Sequence, residues 1–351
     1  MGEQCRSDCP RLRLRALLGT LLVGASPAAV LQAALPPDIE PPAAAVPASS
    51  EPNDSDSLLF ASPTTRDHIG RVVVPVTING RGPFRFIVDT GANHSTISPK
   101  LALALDLKPA ETPSILLDGI TGSAQVSFVT IDRLQAGDLT MESTALPIVW
   151  APLMAGADGI LGMAGLTEKT LLIDFQGNRV VIARRVDSAV RSDSTKLRGL
   201  RMNTGLIALE ARVGRVPVHA VIDTGAERTM GNLALRDALK ARRDHGDTAK
   251  MTSVYGATTE VEPGEFVIAP PISIDSVRIT DVAIVFGEFH IFDVWGMRNQ
   301  PAVIIGMDVL GTFTSLSIDF KNQVVYVASP RSGDTTLSLM RGLSGGTTQK
   351  K

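Results

Sequence analysis

Two aspartates, Asp89 and Asp223, stand in the same four-residue context, Asp-Thr-Gly-Ala. Each follows an uninterrupted apolar run, at residues 86–88 and 220–222. A short apolar run of this kind predicts a buried β-strand. A carboxylate at the end of such a strand lies deep in the fold, where an ionised group needs partners. Two carboxylates on equivalent strands therefore predict a pair that acts together.

A pair of neighbouring carboxyl groups is suited to acid–base chemistry. The two groups do not both ionise easily, so the pair holds one proton. The ionised member can take a proton from a bound water, while the protonated member donates to a carbonyl oxygen and stabilises the oxyanion that forms. Because the pKa values belong to the pair, neither role is assigned to Asp89 or Asp223 individually.

The elements that must position the two aspartates recur in the same order, as an internal repeat. Residues 71–80 and 206–214 are typical of strands running into turns, and each precedes a strand that ends at an aspartate. Nine residues after each aspartate comes a helix start, with Ser98 and Pro99 in the first unit and Asn232 in the second. These residue types are favoured at the first positions of helices.

The second half of each unit repeats as well. Glycine-containing turns at residues 119–122 and 256–258 are flanked by strand-like segments. Apolar residues followed by glycine come next, at residues 159–163 and 303–307. Each unit ends in a hairpin with glycine or asparagine at its turn, as tight hairpins require; the hairpins span residues 172–182 and 317–327. The chain is therefore predicted to be mostly β, in two matching units.

The duplicated Asp-Thr-Gly motif, followed in each unit by apolar residues and glycine, resembles the aspartic proteases of the pepsin and retropepsin fold. The resemblance covers residues 70–328. The single chain resembles pepsin, whereas the alanine after each motif is more similar to retropepsins and their secreted bacterial relatives. It implies a mostly β fold of two pseudo-symmetric lobes with an active-site cleft between them. It also implies hydrolysis of a polypeptide substrate by Asp89, Asp223 and a water, with no metal or cofactor.

The resemblance implies supporting roles for residues around the pair. Gly91 and Gly225 permit a tight loop and a close approach of backbone to carboxylate. Thr90 and Thr224 are expected to hydrogen-bond across the pseudo-two-fold axis and to lock the two loops together. Support from below the loops is expected from Gly162 and Gly306.

A turn in each unit is a candidate flap, which would close over substrate and gate the site. The alternative interpretation is an ordinary hairpin tip. The first flap of pepsin carries a tyrosine, whereas the tyrosine lies in the second unit here, so a retropepsin-like use of both turns stays open. The candidate flap residues are Gly119, Ile120, Thr121, Gly122, Tyr255 and Gly256.

The N-terminal region predicts export. Four arginines precede a charge-free stretch at residues 16–35, and small residues suited to signal cleavage follow between Ala25 and Ala34. The alternative is an uncleaved anchor, since about 20 uncharged residues can span a bilayer. The expected location is the periplasm or the exterior, with membrane attachment only if the segment stays uncleaved.

The predicted organisation follows from these boundaries. The spacer and the tail have compositions that do not bury a core. The segments are a signal peptide or anchor at 1–34, a Pro/Ala/Ser-rich spacer at 35–66, a first lobe at 67–185, an interlobe linker at 186–200, a second lobe at 201–329 and a flexible tail at 330–351.

Other features exclude several kinds of site. A formal net charge of -2 gives no indication of nucleic-acid binding. Cys5 and Cys9 both precede the charge-free stretch, so the mature chain would have no disulfide or thiolate ligand. The five histidines show no metal-ligand spacing, and His94 is interpreted as a neighbour of the first loop rather than a catalyst. Trp150 and Trp295 are interpreted as core or rim residues, with substrate pockets as the alternative.

Two other hypotheses stand beside the hydrolase. A silent peptide-binding protein of the same fold is disfavoured because both motifs are intact. A homodimer in which each lobe pairs with its copy is unnecessary because the repeat lies within one chain, so a monomer is expected. Pepsin-type enzymes carry Ser or Thr after the motif, whereas Ala92 and Ala226 have no hydroxyl to stabilise an ionised carboxylate. Activity is therefore expected to extend to weakly acidic or near-neutral pH.

Overall fold

A computed structural model of the protein describes residues 15–18, 22–24, 58–67, 70–110, 114–136, 139–149, 154–184, 194–242, 250–330 and 336–338. The fold is mostly β, as the sequence pattern predicts. Most strands are short, and the four α-helices of the described residues lie between strands. The predicted signal peptide and tail, and Trp150, lie largely or wholly outside the described residues.

The strands of the first half are β1 Arg15–Leu18, β2 Leu22–Gly24, β3 Leu58–Pro63, β4 Thr65–Arg66, β5 Val72–Ile78, β6 Arg81–Val88, β7 Thr96–Ile97, β8 Ile115–Gly119, β9 Ser123–Val126, β10 Phe128–Ala136, β11 Leu139–Pro147, β12 Gly159–Leu161, β13 Thr170–Asp174 and β14 Arg179–Ala183. Those of the second half are β15 Thr195–Arg201, β16 Ile207–Val213, β17 Val216–Ile222, β18 Met230–Asn232, β19 Lys250–Tyr255, β20 Val261–Ile268, β21 Ile272–Ile274, β22 Val277–Thr280, β23 Ala283–Gly287, β24 Ala302–Ile305, β25 Ser315–Asp319, β26 Val324–Ala328 and β27 Thr336–Ser338. The helices are α1 Pro99–Ala104, α2 Leu233–Ala241, α3 His290–Val294 and α4 Met307–Leu310.

The sheet of the first unit is organised around the hairpin β5–β6. Asn79 and Gly80 form its two-residue turn and both have positive φ, 50° and 75°, which matches the twist of the flanking strands. The sheet has the strand order β11-β10-β5-β6-β12-β7. β12 runs parallel to β6, with Leu161 opposite Val88. Because the last three residues of β6 are buried, the strand delivers Asp89 into the interior.

The second unit repeats these pairings. β16 and β17 form an antiparallel hairpin, and β24 runs parallel to β17, with Ile305 opposite Ile222. β18 lies antiparallel to β24, just as β7 lies antiparallel to β12. Asp223 therefore follows β17 in the same strand environment in which Asp89 follows β6.

A third sheet joins the closing hairpins of the two units, in the order β3-β14-β13-β25-β26-β15. Two of its strands fall in segments that were predicted to be irregular. β15 begins at Thr195, inside the predicted linker, and pairs with β26, so that Leu197 is buried. β3 lies inside the predicted spacer and pairs with β14. Both segments form strands because a partner strand is available, which composition alone does not reveal.

The helix starts predicted after each aspartate are confirmed. The side chain of Ser98 accepts a hydrogen bond from the backbone N–H of Leu101, with Pro99 in the first turn. Asn232 accepts in the same way from Leu235. These caps satisfy backbone donors that the first turn of a helix leaves free. None of the helices in the described part of the chain has the length and apolar character needed to cross a bilayer.

Candidate active site

The two motif aspartates are brought together in the interior of the fold. Asp89 and Asp223 are both fully buried, with no exposed surface. The backbone N–H of each donates to the parallel neighbouring strand, Asp89 to the carbonyl of Leu161 and Asp223 to that of Ile305. The ends of β6 and β17 are therefore anchored identically, and their carboxyl groups face each other.

Each carboxyl group is held by backbone donors of its own loop. Oδ1 of Asp89 accepts from the N–H of Gly91 at 2.9 Å. Oδ1 of Asp223 accepts from the N–H groups of Gly225 at 2.8 Å and Ala226 at 3.0 Å. These bonds leave the second oxygen of each group directed toward the opposite loop.

The two loops approach so closely that only glycine fits at two positions. A Cβ atom added to Gly91 would lie 2.4 Å from Oδ2 of Asp223, and one added to Gly225 would lie 2.3 Å from Oδ2 of Asp89. Real Cβ atoms do not approach a neighbouring atom this closely. The glycine of each motif is therefore required by the carboxyl group of the other motif.

The electrostatics of the pair favour the retention of one proton. Burial raises the pKa of Asp223 well above its ordinary value, and the charge of Asp89 and a hydrogen bond with its side chain raise it further. The N–H groups of Gly225 and Ala226 act in the opposite direction but do not offset the rise in this pKa. Oδ2 of Asp223 has no donor among the described residues when both groups are ionised. A proton shared with Asp89 satisfies this oxygen.

A reciprocal set of hydrogen bonds ties the two loops together through their threonines. The N–H of Thr90 donates to Oγ1 of Thr224 at 3.1 Å, and the N–H of Thr224 donates to Oγ1 of Thr90 at 3.0 Å. Each hydroxyl donates in turn, Thr90 to the carbonyl of Ile222 and Thr224 to that of Val88, both at 2.8 Å. Both threonines are buried, so four hydrogen bonds fix the relative position of the aspartates without solvent competition.

The glycines predicted to lie below the loops occupy equivalent positions. Gly162 donates its N–H to the hydroxyl of Ser95, and Gly306 donates to that of Thr229, both at 3.2 Å. A Cβ atom on Gly162 would lie 2.5 Å from the backbone of His94. On Gly306 it would lie equally close to the residue that precedes Thr229. These glycines let the strand ends pass directly beneath the aspartate loops.

Sequence reasoning did not single out Ser95, Thr229 or Asp308. Both hydroxyl residues stand six positions after their aspartates, and this shared spacing is the signal that would have identified them. Asp308 belongs to the second unit, and its carboxylate accepts from the N–H and hydroxyl of Thr229 at 3.0 and 2.8 Å. Burial raises the pKa of Asp308, and the two Thr229 bonds partly counter this rise. The corresponding residue of the first unit is Ala164, so this support exists on one side only.

The two candidate flap turns, at residues 119–122 and 256–258, are in contact with each other. The hydroxyls of Thr121 and Thr258 are 3.1 Å apart. A Cβ atom on Gly256 would lie 2.5 Å from Oγ1 of Thr121, and one on Gly119 would lie 3.2 Å from Ala257. The tip of the first hairpin, β8–β9, is thus in van der Waals contact with the tip of the second, β19–β20.

Each tip is anchored in the apolar interior of the other unit. Ile120, fully buried, packs in a cluster with second-unit residues that include Val254 and Phe289. Ala257 packs in a first-unit cluster that includes Leu117. Tyr255 is 40% exposed, so its side chain is not part of the buried core. Gly122 lies against the carboxylate of Glu260 in the second hairpin.

The remaining interpretations from the sequence concern a tryptophan and metal binding. Trp295 is 9% exposed and packs edge-on against Phe292 at 5.9 Å between ring centroids, which is a core position. Within the described ranges, no group of three or more His, Cys, Asp or Glu side chains is arranged to hold a metal ion.

The chain was compared with models of known protein families. The chain matches a family model described as Aspartyl protease, over residues 74–164 and 209–309. These two segments contain both Asp-Thr-Gly motifs and both of the glycines that lie beneath the loops, Gly162 and Gly306. A search of curated proteins returns no match.

Proposed function

Because the chain belongs to the aspartyl protease family, we propose that it is an exported endopeptidase that hydrolyses peptide bonds with Asp89, Asp223 and an activated water. The observation that supports this most directly is the pair itself. Two fully buried carboxyl groups face each other, and each abuts the glycine of the opposite motif. A purely structural protein has no reason to maintain this costly arrangement.

The proposed reaction follows from one proton shared by two acids. The ionised carboxylate takes a proton from the water, whose oxygen attacks the scissile carbonyl carbon. The protonated carboxyl donates to the carbonyl oxygen, which becomes the hydroxyl of a tetrahedral intermediate. That intermediate collapses as the C–N bond breaks and the leaving nitrogen accepts a proton from the pair. The raised pKa of Asp223 keeps the required proton available above the ordinary range of an aspartate.

The two repeat units are proposed to form two pseudo-symmetric lobes, each supplying one aspartate. The matching pairings β6–β12 and β17–β24 support this arrangement, as do the reciprocal bonds of Thr90 and Thr224. We place the substrate cleft between the lobes, beneath the two hairpin tips. Both hairpins then act as flaps, because each tip is anchored in the opposite unit.

The proposed substrate is an extended polypeptide. An extended chain binds to exposed strand edges through main-chain hydrogen bonds, while its alternate side chains enter pockets. Both flap hairpins have edges that accept such a strand, since β1 pairs parallel with β8 and β2 pairs antiparallel with β19. Export to the periplasm or the exterior rests on the charge-free stretch after the N-terminal arginines.

The proposal is tested with purified protein and a peptide library. We expect cleavage of internal peptide bonds that is blocked by a statine-type transition-state analogue and unaffected by a metal chelator. Absence of cleavage together with tight binding of peptides would instead support the silent binding protein. Cleavage that the analogue does not inhibit would reject the two-aspartate mechanism.

A second expectation concerns the alanine after each motif. In Ala226→Ser a hydroxyl would join the N–H of Ala226 near Oδ1 of Asp223 and would favour the ionised form. The pKa of the first ionisation of the pair would then fall, because the charged form gains a donor. We expect the acid limb of the kcat/KM profile to move down by roughly one pH unit, about the net effect of one hydrogen bond to a charged group.

The same change in the other unit, Ala92→Ser, provides the matched comparison. Both alanines are fully buried, so the two variants introduce the same hydroxyl at corresponding positions of the two motifs. If the acid limb stays in place in both variants, the missing hydroxyl does not set the pH range of the enzyme.

A further inference from the structure

Three polar side chains connect the first flap hairpin to the second unit. Asp118 is the second-last residue of β8 and Ser123 is the first of β9, and the two lie opposite each other next to the hairpin tip. His290 is the first residue of α3, which packs against β8. Oγ of Ser123 is 2.5 Å from Oδ1 of Asp118 and 2.7 Å from Nε2 of His290. Nε2 of His290 is 3.5 Å from the same Asp118 oxygen.

The hydrogen bonds of this cluster have a defined direction. A serine hydroxyl has one proton, and an ionised carboxylate can only accept. Ser123 therefore donates to Asp118, and its oxygen accepts the N–H of His290. The imidazole must carry its proton on Nε2 to make this bond. This polar link between the first hairpin and α3 consequently depends on a donor from His290.

The carboxylate has few alternatives to this bond. The side chain of Asp118 is only 5% exposed, and its Oδ2 has no hydrogen-bond partner among the described residues. Loss of the serine or histidine would leave a buried carboxylate with little compensation, and that is costly. The closed position of the hairpin, with Ile120 in the second-unit cluster, is the one that satisfies Asp118.

The second hairpin has no buried polar pair at the corresponding position. At the corresponding strand pair next to its tip, Tyr255 lies opposite Val261, and their exposed fractions are 40% and 49%. Neither residue provides a buried polar group for the other unit to hold. The two hairpins therefore differ in how they are fastened, although their tips are packed reciprocally.

We propose that Asp118, Ser123 and His290 form a latch that holds the first flap closed over the aspartate pair, and that His290 is a positioning residue for the reaction. This inference rests on the proposed function insofar as it concerns substrate. The latch sets how often the first hairpin opens and hence how long a bound peptide is retained. The second hairpin contributes no residue to the latch.

The first test measures opening without any substrate. Amide hydrogen exchange of residues 115–126 in the full chain is expected to be about 10-fold faster in Ser123→Ala and His290→Leu, as for the loss of one strong hydrogen bond. His290→Gln keeps a donor near the Nε2 position and should restore slow exchange. Asp293→Asn, one turn further along α3, changes an exposed carboxylate that pairs with Arg298 and should leave the exchange unchanged.

The second test measures retention of a bound ligand. The dissociation rate of a statine-type analogue should rise about 10-fold in Ser123→Ala and His290→Leu. For a peptide substrate, KM should rise while kcat stays level or increases, because the chemistry itself is untouched. A merely structural role of His290 would instead lower the melting temperature and leave both the exchange and the dissociation rate at wild-type values.

The outcomes separate the latch from the proposed function. If amide exchange in a folded Ser123→Ala variant stays at the wild-type rate, the latch is overturned. Because Ser123→Ala is a small change at the surface of the hairpin, this test is available even if His290→Leu does not fold. Faster exchange in a protein that cleaves no peptide would support the latch while rejecting the protease. Faster exchange without a change in ligand dissociation would show that the latch does not act on the substrate site, and would reject it as a positioning device.

Discussion

Asp223→Asn is expected to lower kcat/KM for peptide hydrolysis by about 10⁴-fold or more, the combined loss of an acid and a base. The amide cannot exchange a proton with Asp89, so the pair no longer activates water and polarises the carbonyl in turn. The position stays filled by a side chain of nearly the same size and shape. Initial rates with a library-derived substrate measure the loss.

The same variant is expected to be more stable than the wild type at neutral pH. The folded pKa of Asp223 is raised by burial and by the charge of Asp89, whereas in the unfolded chain the group has the ordinary value of about 3.9. Because the pKa of Asp223 is higher in the folded state, this group stabilises the fold fully below about pH 4. That contribution to the free energy of unfolding is lost as the pH rises through the folded-state pKa. Asparagine does not ionise and avoids this loss. Each tenfold change in proton affinity corresponds to about 1.4 kcal/mol, so a rise in Tm of at least about 2 °C is expected.

The pH dependence distinguishes this effect from general stabilisation. The difference in Tm between Asp223→Asn and the wild type should be small near pH 4 and should grow toward pH 7. Asp132→Asn changes an exposed aspartate of β10 and provides the control for a lost carboxylate. If Asp223→Asn retained more than about 1% of the activity, or if its Tm advantage were independent of pH, the assignment of a proton-sharing pair would be wrong.

Thr90→Val should destabilise the fold by about 2–4 kcal/mol and reduce activity together with stability. The valine keeps the shape of the threonine but removes the hydroxyl that accepts from the N–H of Thr224 and donates to the carbonyl of Ile222. Two buried backbone groups then lose their partner, and each costs about 1–3 kcal/mol when it is left unsatisfied. Urea unfolding measures the free energy of unfolding, and kcat/KM reports whether the aspartates remain aligned.

Thr90→Ser is the matched control for this change. Serine keeps the hydroxyl and loses only a methyl group, so it should retain most of the stability and activity. Equal destabilisation by serine and valine would mean that packing of the methyl group, rather than the hydrogen bonds across the two loops, holds the loops together.

The carboxyl pair on which the proposed chemistry depends was largely predictable from the sequence. The apolar runs before Asp89 and Asp223 predict buried strands, and the duplicated motif predicts a carboxyl pair, because alternation, burial and turn preferences are local properties of the chain. The caps at Ser98 and Asn232 were predictable for the same reason. The same short motifs also predict a tight glycine-containing loop and carry the family resemblance.

The organisation around the pair was decided only by tertiary structure. Whether Gly91 touches the carboxyl of Asp223, whether Ile120 enters the opposite unit and whether His290 meets Ser123 depend on contacts between residues more than a hundred positions apart. No local preference encodes such contacts. They result from the packing of two whole units, which buries the apolar clusters and leaves only certain polar partners within hydrogen-bond distance. The sequence by itself determined which carboxyl groups are candidates for the reaction, and the packed fold decided what holds them in place.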